Sequence, residues 1–277
     1  MPDWMEKRMD KIQFVLFVIL LSAIVIGCER KTNSLADTVY HVTYRIQAVP
    51  ENSRNNSGFI FKVDDTTPPL YLTAHHAISG YGMRKYYDWD RLQDYVRDAS
   101  IWSIQDDHVH FQLGRNLPIP NAKTIKLDLA AFYLARGGPA NYLKAAASPA
   151  KVGDTVRLFA KLHQTGVVLN SAVVIYTTDS LLVYQLVNPA LNELSGSSGS
   201  PVLNNRNEVV SNSFGGLPVS SIEQREEMAR EYPFIRQFLE RTEMGKTYGI
   251  GVPIDLIRIS LIQAIELNQR RPVSLTP

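Results

Sequence analysis

The sequence contains a single cysteine and has almost no net charge. Cys28 is the only cysteine in 277 residues, so no disulfide can form within the chain. The 29 Lys and Arg residues nearly balance the 27 Asp and Glu residues, giving a formal net charge of +2. No basic stripe with interleaved aromatic residues is present, which argues against nucleic acid as a partner. With 45% hydrophobic and 20% charged residues, the composition is that of an ordinary globular protein, long enough for one large or two modest domains.

Long hydrophobic runs are also scarce, and the clearest one, residues 12–26, lies near the N-terminus after Lys11. It is shorter than the roughly 20 apolar residues that span a bilayer, and it fits the apolar region of a secretory signal peptide. The run ends in Val25-Ile26-Gly27-Cys28, which resembles the bacterial lipobox. This resemblance implies a lipoprotein signal peptide over residues 1–27 and a lipid on Cys28. An uncleaved N-terminal membrane anchor is the alternative, and both place the rest of the chain outside the cytoplasm.

Short runs rich in β-branched and aromatic residues, separated by turn sequences, predict a mainly β protein. After a polar tether at 28–36, predicted strands of the first half cover 39–46, 59–63, 70–74 and 109–113, with an apolar run at 124–134. Asn55-Asn56-Ser57-Gly58 has the composition of a turn. In the second half, predicted strands cover 151–160, 167–176, 181–187, 201–203, 208–214 and 248–254, followed by a helix at 255–267. This spacing favours a β-barrel or sandwich.

Two segments interrupt the strand pattern. Residues 79–110 contain a short amphipathic helix, predicted over 88–100 from the apolar spacing of Trp89, Leu92 and Val96. Residues 220–242 form a second helical insertion. Gly137-Gly138-Pro139 ends an apolar run, and residues 140–150 have the composition of a linker. We therefore expect the boundary between two halves of the protein in this region.

Three kinds of side chain with complementary chemistry stand out. Ser198 lies in a glycine-rich turn, His76 follows an apolar run, and Asp128 lies within another apolar run. A serine hydroxyl becomes a nucleophile only beside a base that is neutral near pH 7, and histidine supplies such a base. A carboxylate within an apolar strand is costly unless it is hydrogen-bonded, and a histidine N–H is a suitable partner. That pairing would fix the imidazole tautomer that accepts the serine proton.

The positions of the histidines and the cysteine exclude rival chemistries. All six histidines precede Ser198, at positions 41, 75, 76, 108, 110 and 163. The α/β-hydrolases place histidine after serine, so that fold is excluded. A cysteine peptidase is excluded because the sole cysteine belongs to the leader. His108 and His110 would share one strand face, but without cysteine or carboxylate partners we expect no metal site and no cofactor.

Five segments together resemble the trypsin-like (chymotrypsin-fold) serine peptidases, particularly the disulfide-free bacterial branch with the Htr-type proteases and glutamyl endopeptidases. Thr73-Ala74-His75-His76-Ala77 is similar to T-A-A-H-C, and Leu127-Asp128-Leu129-Ala130 is similar to D-[IL]-A. Gly196-Ser197-Ser198-Gly199-Ser200-Pro201 is similar to G-x-S-G-[GS]-P, and Ser213-Phe214-Gly215 to S-[WF]-G. Gly251-Val252-Pro253-Ile254 resembles the family's closing strand. Each segment alone is weak, but five in the family's order are a strong signal.

The resemblance implies a mainly β fold of two six-stranded antiparallel β-barrels within residues 37–265. Barrel one would cover about 37–136 and barrel two about 150–265, with the two helical insertions, a C-terminal helix and a tail at 266–277. No PDZ domain is expected after the second barrel.

The same resemblance assigns the candidate site. His76 would be the general base, Asp128 its orienting partner and Ser198 the nucleophile, with the amides of Gly196 and Ser198 as the oxyanion hole. The strand Ser213-Phe214-Gly215 would pair with bound peptide.

Two positions depart from the family pattern. Asn192 would lie at the base of the specificity pocket, which argues against a charge-paired preference for Lys or Arg. Ser197 stands where the family has aspartate, so activation through an aspartate paired with a new N-terminus is not expected.

These expectations describe a serine endopeptidase that is anchored by lipid on Cys28 to the bacterial envelope and faces the periplasm or the exterior. It would cleave protein or peptide substrates through an acyl-enzyme intermediate. Two alternatives stay open: a catalytically silent, peptidase-like lipoprotein that binds peptides, and an esterase of the same fold.

Overall fold

Two β-sheets form the framework of the molecule. The computed structural model describes residues 35–43, 56–78, 99–106, 108–122, 127–163, 165–188, 194–219, 221–231 and 236–270. The predicted signal peptide, Cys28, most of the tether and Asn192 lie outside these residues.

The first sheet begins after a single 3-10 turn, Leu35–Thr38. Its strands are β1 (Val39–Thr43), β2 (Asn56–Lys62), β3 (Leu70–Thr73), β4 (Ser100–Ser103), β5 (His110–Leu117), β6 (Ala130–Leu134) and β7 (Leu143–Lys144). The order is β1-β4-β5-β6-β3-β2, and the antiparallel β1–β2 pairing closes these six strands into barrel one. Strand β7 adds to β2 in parallel.

The second sheet is a closed barrel with the strand order β10-β13-β12-β11-β8-β9, called barrel two below. Its strands are β8 (Thr155–Leu162), β9 (Gly166–Thr177), β10 (Leu182–Leu186), β11 (Pro201–Leu203), β12 (Val209–Val219) and β13 (Lys246–Pro253). All pairings among them are antiparallel. The prediction of two six-stranded antiparallel barrels is confirmed.

The alternation of side chains along the strands divides the core. In β2, Ile60 packs in a cluster confined to barrel one, whereas its neighbours Phe59 and Phe61 join a larger cluster. That larger cluster also contains Val183 and Val252 of barrel two, so one apolar core connects the barrels. A third cluster belongs to barrel two.

The described helices are short except at the C-terminus. They are α1 (His75–Ile78), α2 (Ile222–Glu231), α3 (Arg236–Leu239) and α4 (Ile254–Arg270). Helix α4 buries Ile257, Leu261 and Ala264, which share one face at helical spacing and pack into the core that connects the barrels. The closing helix predicted at 255–267 is confirmed and ends three residues later. Within the described part of the chain, no helix has the length and apolar character needed to cross a bilayer.

Three sequence interpretations need correction. The segment 79–110 is not wholly an insertion, because β4 occupies Ser100–Ser103 and pairs with β1 and β5. Ser100, the last residue of the helix predicted at 88–100, is instead the first residue of β4, and residues 88–98 lie outside the described residues. The linker predicted at 140–150 contains β7. Ser57, interpreted as part of a turn, lies within β2.

Candidate active site

The end of strand β3 brings two adjacent histidines to the boundary between the barrels. The strand stops at Thr73, and Ala77 donates its N–H to the carbonyl of Ala74 at 3.2 Å, which starts the single helical turn of α1. On this turn His75 is almost fully buried, whereas the side chain of His76 keeps 13% of its surface exposed. Of the two imidazoles, His76 is therefore the one that solvent and a substrate can reach.

Asp128 is fully buried and holds His76 at two points. One carboxylate oxygen accepts the backbone N–H of His76 at 2.8 Å, and the other forms a short hydrogen bond with Nδ1 of the imidazole. A buried carboxylate is stable only with such partners. Asp128 does not lie in a strand, as the apolar run suggested. It lies in a turn closed by a 2.9 Å hydrogen bond from Leu129 N–H to the Leu127 carbonyl, just before β6.

Barrel two contributes Ser198 to the same constellation. Its Oγ lies 2.9 Å from Nε2 of His76, on the opposite side of the ring from Asp128. The three predicted residues are thus joined in one chain of hydrogen bonds, although 122 residues separate Ser198 from His76 and 52 separate His76 from Asp128. This geometry permits a proton to pass from the hydroxyl to the imidazole while the carboxylate stabilises the resulting positive charge.

The turn before Ser198 fixes the orientation of its peptide groups. The Ser195 carbonyl accepts the His163 N–H at 3.0 Å, and the Ser197 carbonyl accepts the Ser200 N–H at 2.9 Å. A trans peptide directs its N–H opposite to its carbonyl. The N–H groups of Gly196 and Ser198 consequently point away from these anchors, and neither donates to another described residue. Two such amides beside a nucleophile can stabilise a developing oxyanion.

Two glycines of this turn adopt a backbone conformation that other residues rarely accept, with φ of +93° at Gly196 and +87° at Gly199. A Cβ atom at Gly196 would lie 2.7 Å from the Lys161 carbonyl oxygen. At Gly199 it would lie 2.1 Å from the Ser57 carbonyl oxygen and 2.2 Å from Oγ1 of Thr73. Glycine at both positions therefore permits the turn at 194–200, called the nucleophile turn below after the candidate nucleophile Ser198, to approach its neighbours.

In the predicted peptide-binding strand, backbone groups rather than side chains are placed to contact a ligand beside Ser198. The Ser213 hydroxyl is buried and accepts a hydrogen bond from the Tyr184 hydroxyl at 2.9 Å. The Phe214 ring belongs to the core that connects the barrels, together with Leu127 and Leu129. The Phe214 carbonyl, however, lies 3.4 Å from Ser198 Oγ, and a Cβ at Gly215 would meet no atom within 4 Å. Burial raises the pKa of Tyr184, so its hydroxyl stays protonated and remains the donor to Ser213.

The edge of β12 near Ser198 is available for pairing. Strand β11 pairs with β12 only as far as Asn212, and the segment from Gly215 to Val219 pairs with β13 on the other side. Ser213 still uses this edge, because its N–H donates to the Ser200 carbonyl and its carbonyl accepts the Gly199 N–H. Beyond Ser213, no described strand pairs with this edge. An extended peptide could add there by strand pairing.

Sequence reasoning missed Ser57. Its hydroxyl donates to the Gly196 carbonyl at 2.8 Å, so it contacts the nucleophile turn directly. No sequence pattern marks this contact, because serine before glycine is common in turns. The prediction that His108 and His110 share one strand face is wrong, because His108 lies in a turn and β5 begins at His110. The His110 ring stacks on Trp102 with ring centroids 4.6 Å apart. In the part of the chain that the structure describes, no group of three His, Cys, Asp or Glu residues is arranged to hold a metal ion.

The two closed barrels, with the candidate site between them, define a chymotrypsin-like fold. No protein-family model and no curated protein matches the sequence. Solved structures do. The Rv3671c protease of M. tuberculosis in its active form matches with a TM-score of 0.54 and 13% identity, over 87% of this chain and 86% of that chain. An inactive mutant form of Rv3671c matches with a TM-score of 0.52 and 12% identity, over 91% and 96%.

A serine endoprotease from Yersinia pestis matches with a TM-score of 0.51 and 16% identity, over 83% of this chain and 64% of that chain. At these identities the likeness shows the fold. Of these neighbours, Rv3671c is a protease and the Yersinia pestis protein is a serine endoprotease.

Proposed function

We propose that the protein is a serine endopeptidase that hydrolyses peptide bonds in protein or peptide substrates. The observation that carries the proposal is the hydrogen-bond chain from Asp128 through His76 to Ser198, beside two amides that no described residue uses. A protein that only binds peptides has no need of all three side chains in this order. Two of the fold neighbours are proteases, which supports the same activity.

In the proposed first step, Ser198 Oγ attacks the carbonyl carbon of the scissile bond, and its proton passes to Nε2 of His76. Asp128 stabilises the imidazolium that forms. The carbonyl oxygen becomes an oxyanion held by the N–H groups of Gly196 and Ser198. As this intermediate collapses, the imidazolium gives its proton to the leaving amine, the C–N bond breaks, and an acyl-enzyme ester remains on Ser198.

In the second step, a water molecule takes the place of the amine. His76 accepts a proton from this water as it attacks the ester, and the same two amides stabilise the second oxyanion. Collapse returns the proton to Ser198 Oγ and releases the carboxylic acid product. The site is then restored without any cofactor.

The test is labelling with a fluorophosphonate probe together with turnover of fluorescent casein. The wild-type protein should be labelled and should cleave casein, whereas Ser198→Ala should not be labelled and should lose about a millionfold in kcat. Ser200→Ala is a matched control, because the Ser200 hydroxyl is buried in the same turn and has no hydrogen-bond partner among the described residues. Equal labelling of wild type and Ser198→Ala would show that the nucleophile is assigned wrongly. A folded wild type without labelling or turnover would favour the peptide-binding alternative.

We propose in addition that a lipid on Cys28 holds the enzyme at the bacterial envelope. The proposal rests on the lipobox-like sequence. Intact mass measurement of the mature protein tests it: the chain should begin at residue 28 and carry acyl chains, and Cys28→Ser should abolish both. A mature chain that retains residues 1–27 without acyl chains would contradict the lipid anchor.

A further inference from the structure

We infer that Ser57 is a positioning residue for the oxyanion hole: from barrel one, its hydroxyl holds the peptide group between the two oxyanion-binding amides of barrel two. The inference rests on the proposed function, because it concerns the efficiency of the Ser198 reaction. Ser57 takes no part in proton transfer. It acts through the Gly196 carbonyl.

The contacts of Ser57 connect the two barrels at the nucleophile turn. Its side chain is completely buried on β2. The hydroxyl donates to the Gly196 carbonyl at 2.8 Å, across 139 residues of sequence, and accepts the Lys161 backbone N–H at 3.3 Å. The Ser57 carbonyl accepts the hydroxyl of Thr73 at 2.8 Å. Ser57 is thus held in place by β3 and is itself bonded to the turn.

The peptide group that Ser57 holds is the central one of three. The first, between Ser195 and Gly196, supplies the Gly196 N–H, and the third, between Ser197 and Ser198, supplies the Ser198 N–H. The central group carries the Gly196 carbonyl, bonded to Ser57, and the Ser197 N–H, which donates to the Leu194 carbonyl at 2.9 Å. Rotation of the central group would turn both neighbouring N–H groups, so its fixation aligns the pair.

Glycine makes this restraint necessary. Gly196 has no side chain to limit rotation about its backbone bonds, and its φ of +93° is one of several conformations that glycine accepts. The Ser57 hydroxyl supplies a donor for its carbonyl. Without that hydroxyl, a buried carbonyl loses a partner and the peptide gains alternative orientations. Oxyanion stabilisation depends on donors that are fixed before the reaction, so this freedom should slow the chemical step.

The substitution Ser57→Ala tests the inference, and Ser211→Ala is its matched control. Ser211 is also fully buried, and its hydroxyl donates to the Val252 carbonyl at 2.9 Å, a contact that does not involve the nucleophile turn. Both variants lose a buried hydroxyl that donates to a backbone carbonyl, and Ser57→Ala also loses the longer bond from the Lys161 N–H. The measurements are the rate constant of fluorophosphonate labelling, kcat and KM on fluorescent casein, and the unfolding temperature.

Ser57→Ala should lower kcat and the labelling rate by about tenfold to a hundredfold, less than the loss of an oxyanion donor itself, with little change in KM. Ser211→Ala should lower the unfolding temperature similarly and leave kcat within about twofold, because the pre-organised donors are untouched. Ser57→Cys keeps a weak donor of similar size and should recover part of the rate. It carries the test if Ser57→Ala does not fold.

Equal labelling rates for Ser57→Ala and Ser211→Ala, or a loss confined to KM, would overturn the positioning role. A wild-type protein that the probe does not label would instead refute the proposed function. The two failures are therefore distinguishable in one experiment.

Discussion

Replacing Asp128 with asparagine tests the hydrogen-bond chain, because an amide cannot stand in for both carboxylate oxygens. One oxygen accepts the His76 backbone N–H at 2.8 Å and the other bonds Nδ1 of the ring. Asparagine offers one oxygen and one NH2 group. Since the position is fully buried, turning the NH2 group toward the backbone N–H would place two donors together at a cost of about 1–3 kcal/mol.

The favoured orientation of the introduced amide therefore keeps its oxygen on the backbone N–H and presents its NH2 group to Nδ1 of His76. Nδ1 must then accept, so the imidazole carries its proton on Nε2, 2.9 Å from Ser198 Oγ. In this tautomer the ring cannot take the serine proton. We expect kcat to fall about ten-thousandfold, equivalent to about 5.4 kcal/mol of lost transition-state stabilisation, with the fold unchanged.

The assay is casein turnover and the fluorophosphonate labelling rate, with circular dichroism as the check on folding. Asp154→Asn is the control, since Asp154 makes the same kind of bond, to the Lys151 N–H at 2.8 Å, in an exposed turn away from the site. A folded Asp128→Asn enzyme with kcat within about tenfold of wild type would refute the tautomer argument.

The remaining predictions concern barrel docking and the buried tyrosines. Gly199→Ala forces a Cβ to within 2.1 Å of the Ser57 carbonyl oxygen at a φ of +87°; we expect a loss of about 2–5 kcal/mol in the free energy of unfolding, measured by urea denaturation, and no labelling. Wild-type stability in that assay would show that the turn can move aside. Burial and the neighbouring Asp37 raise the pKa of Tyr40 from 10.0 to about 12, and burial also raises the pKa of Tyr71 and Tyr184. Because the unfolded chain releases these protons first, the stabilisation present below pH 10 should decrease as pH rises toward 12, with ionisation in the ultraviolet spectrum coinciding with unfolding. Ionisation of every tyrosine near pH 10 in the folded protein would contradict this expectation.

Strands with strong local signals could be predicted from sequence, and strands defined by distant partners could not. In β2 and β3, runs of aromatic and branched residues reveal the strand before any partner is known. Strand β4 is four residues long and pairs with β1, about sixty residues earlier in the chain. Strand β7 has two residues, defined by parallel pairing with β2. Such short segments carry no periodicity.

The three residues of the hydrogen-bond chain could be predicted, because few residue types can do this chemistry. The backbone and side chains that position them could not be predicted. Ser198, His76 and Asp128 are recognisable from motif and order. The apolar run nonetheless predicts a strand at Asp128, since a run buried on all sides has no period that separates a strand from a turn. The contact of Ser57 could not be predicted, because a serine hydroxyl can make many kinds of hydrogen bond. Only the tertiary structure shows that this one donates to the Gly196 carbonyl.

The predicted peptide-binding strand shows how a shift of one residue in register changes which groups face Ser198. Because strand side chains alternate, a shift of one residue exchanges the two faces. The motif match suggests Ser213 as a substrate contact, yet its hydroxyl lies on Tyr184, and the carbonyl beside Ser198 belongs to Phe214. The pairing of β12 with β13 is irregular between Ser213 and Gly215, and the residue types do not indicate a bulge there.

Because the site is divided between the two barrels, the docking of the barrels aligns all of its residues at once. Barrel one supplies His76, Asp128 and Ser57, while barrel two supplies Ser198 and the Gly196 amide. The same docking sets the 2.9 Å distance from His76 to Ser198 and the 2.8 Å bond from Ser57 to Gly196. A shift between the barrels would therefore separate the proposed base from the proposed nucleophile and, at the same time, release the amides proposed to bind the oxyanion. We expect loosening of this interface to reduce activity steeply, because each substep needs both contacts at once.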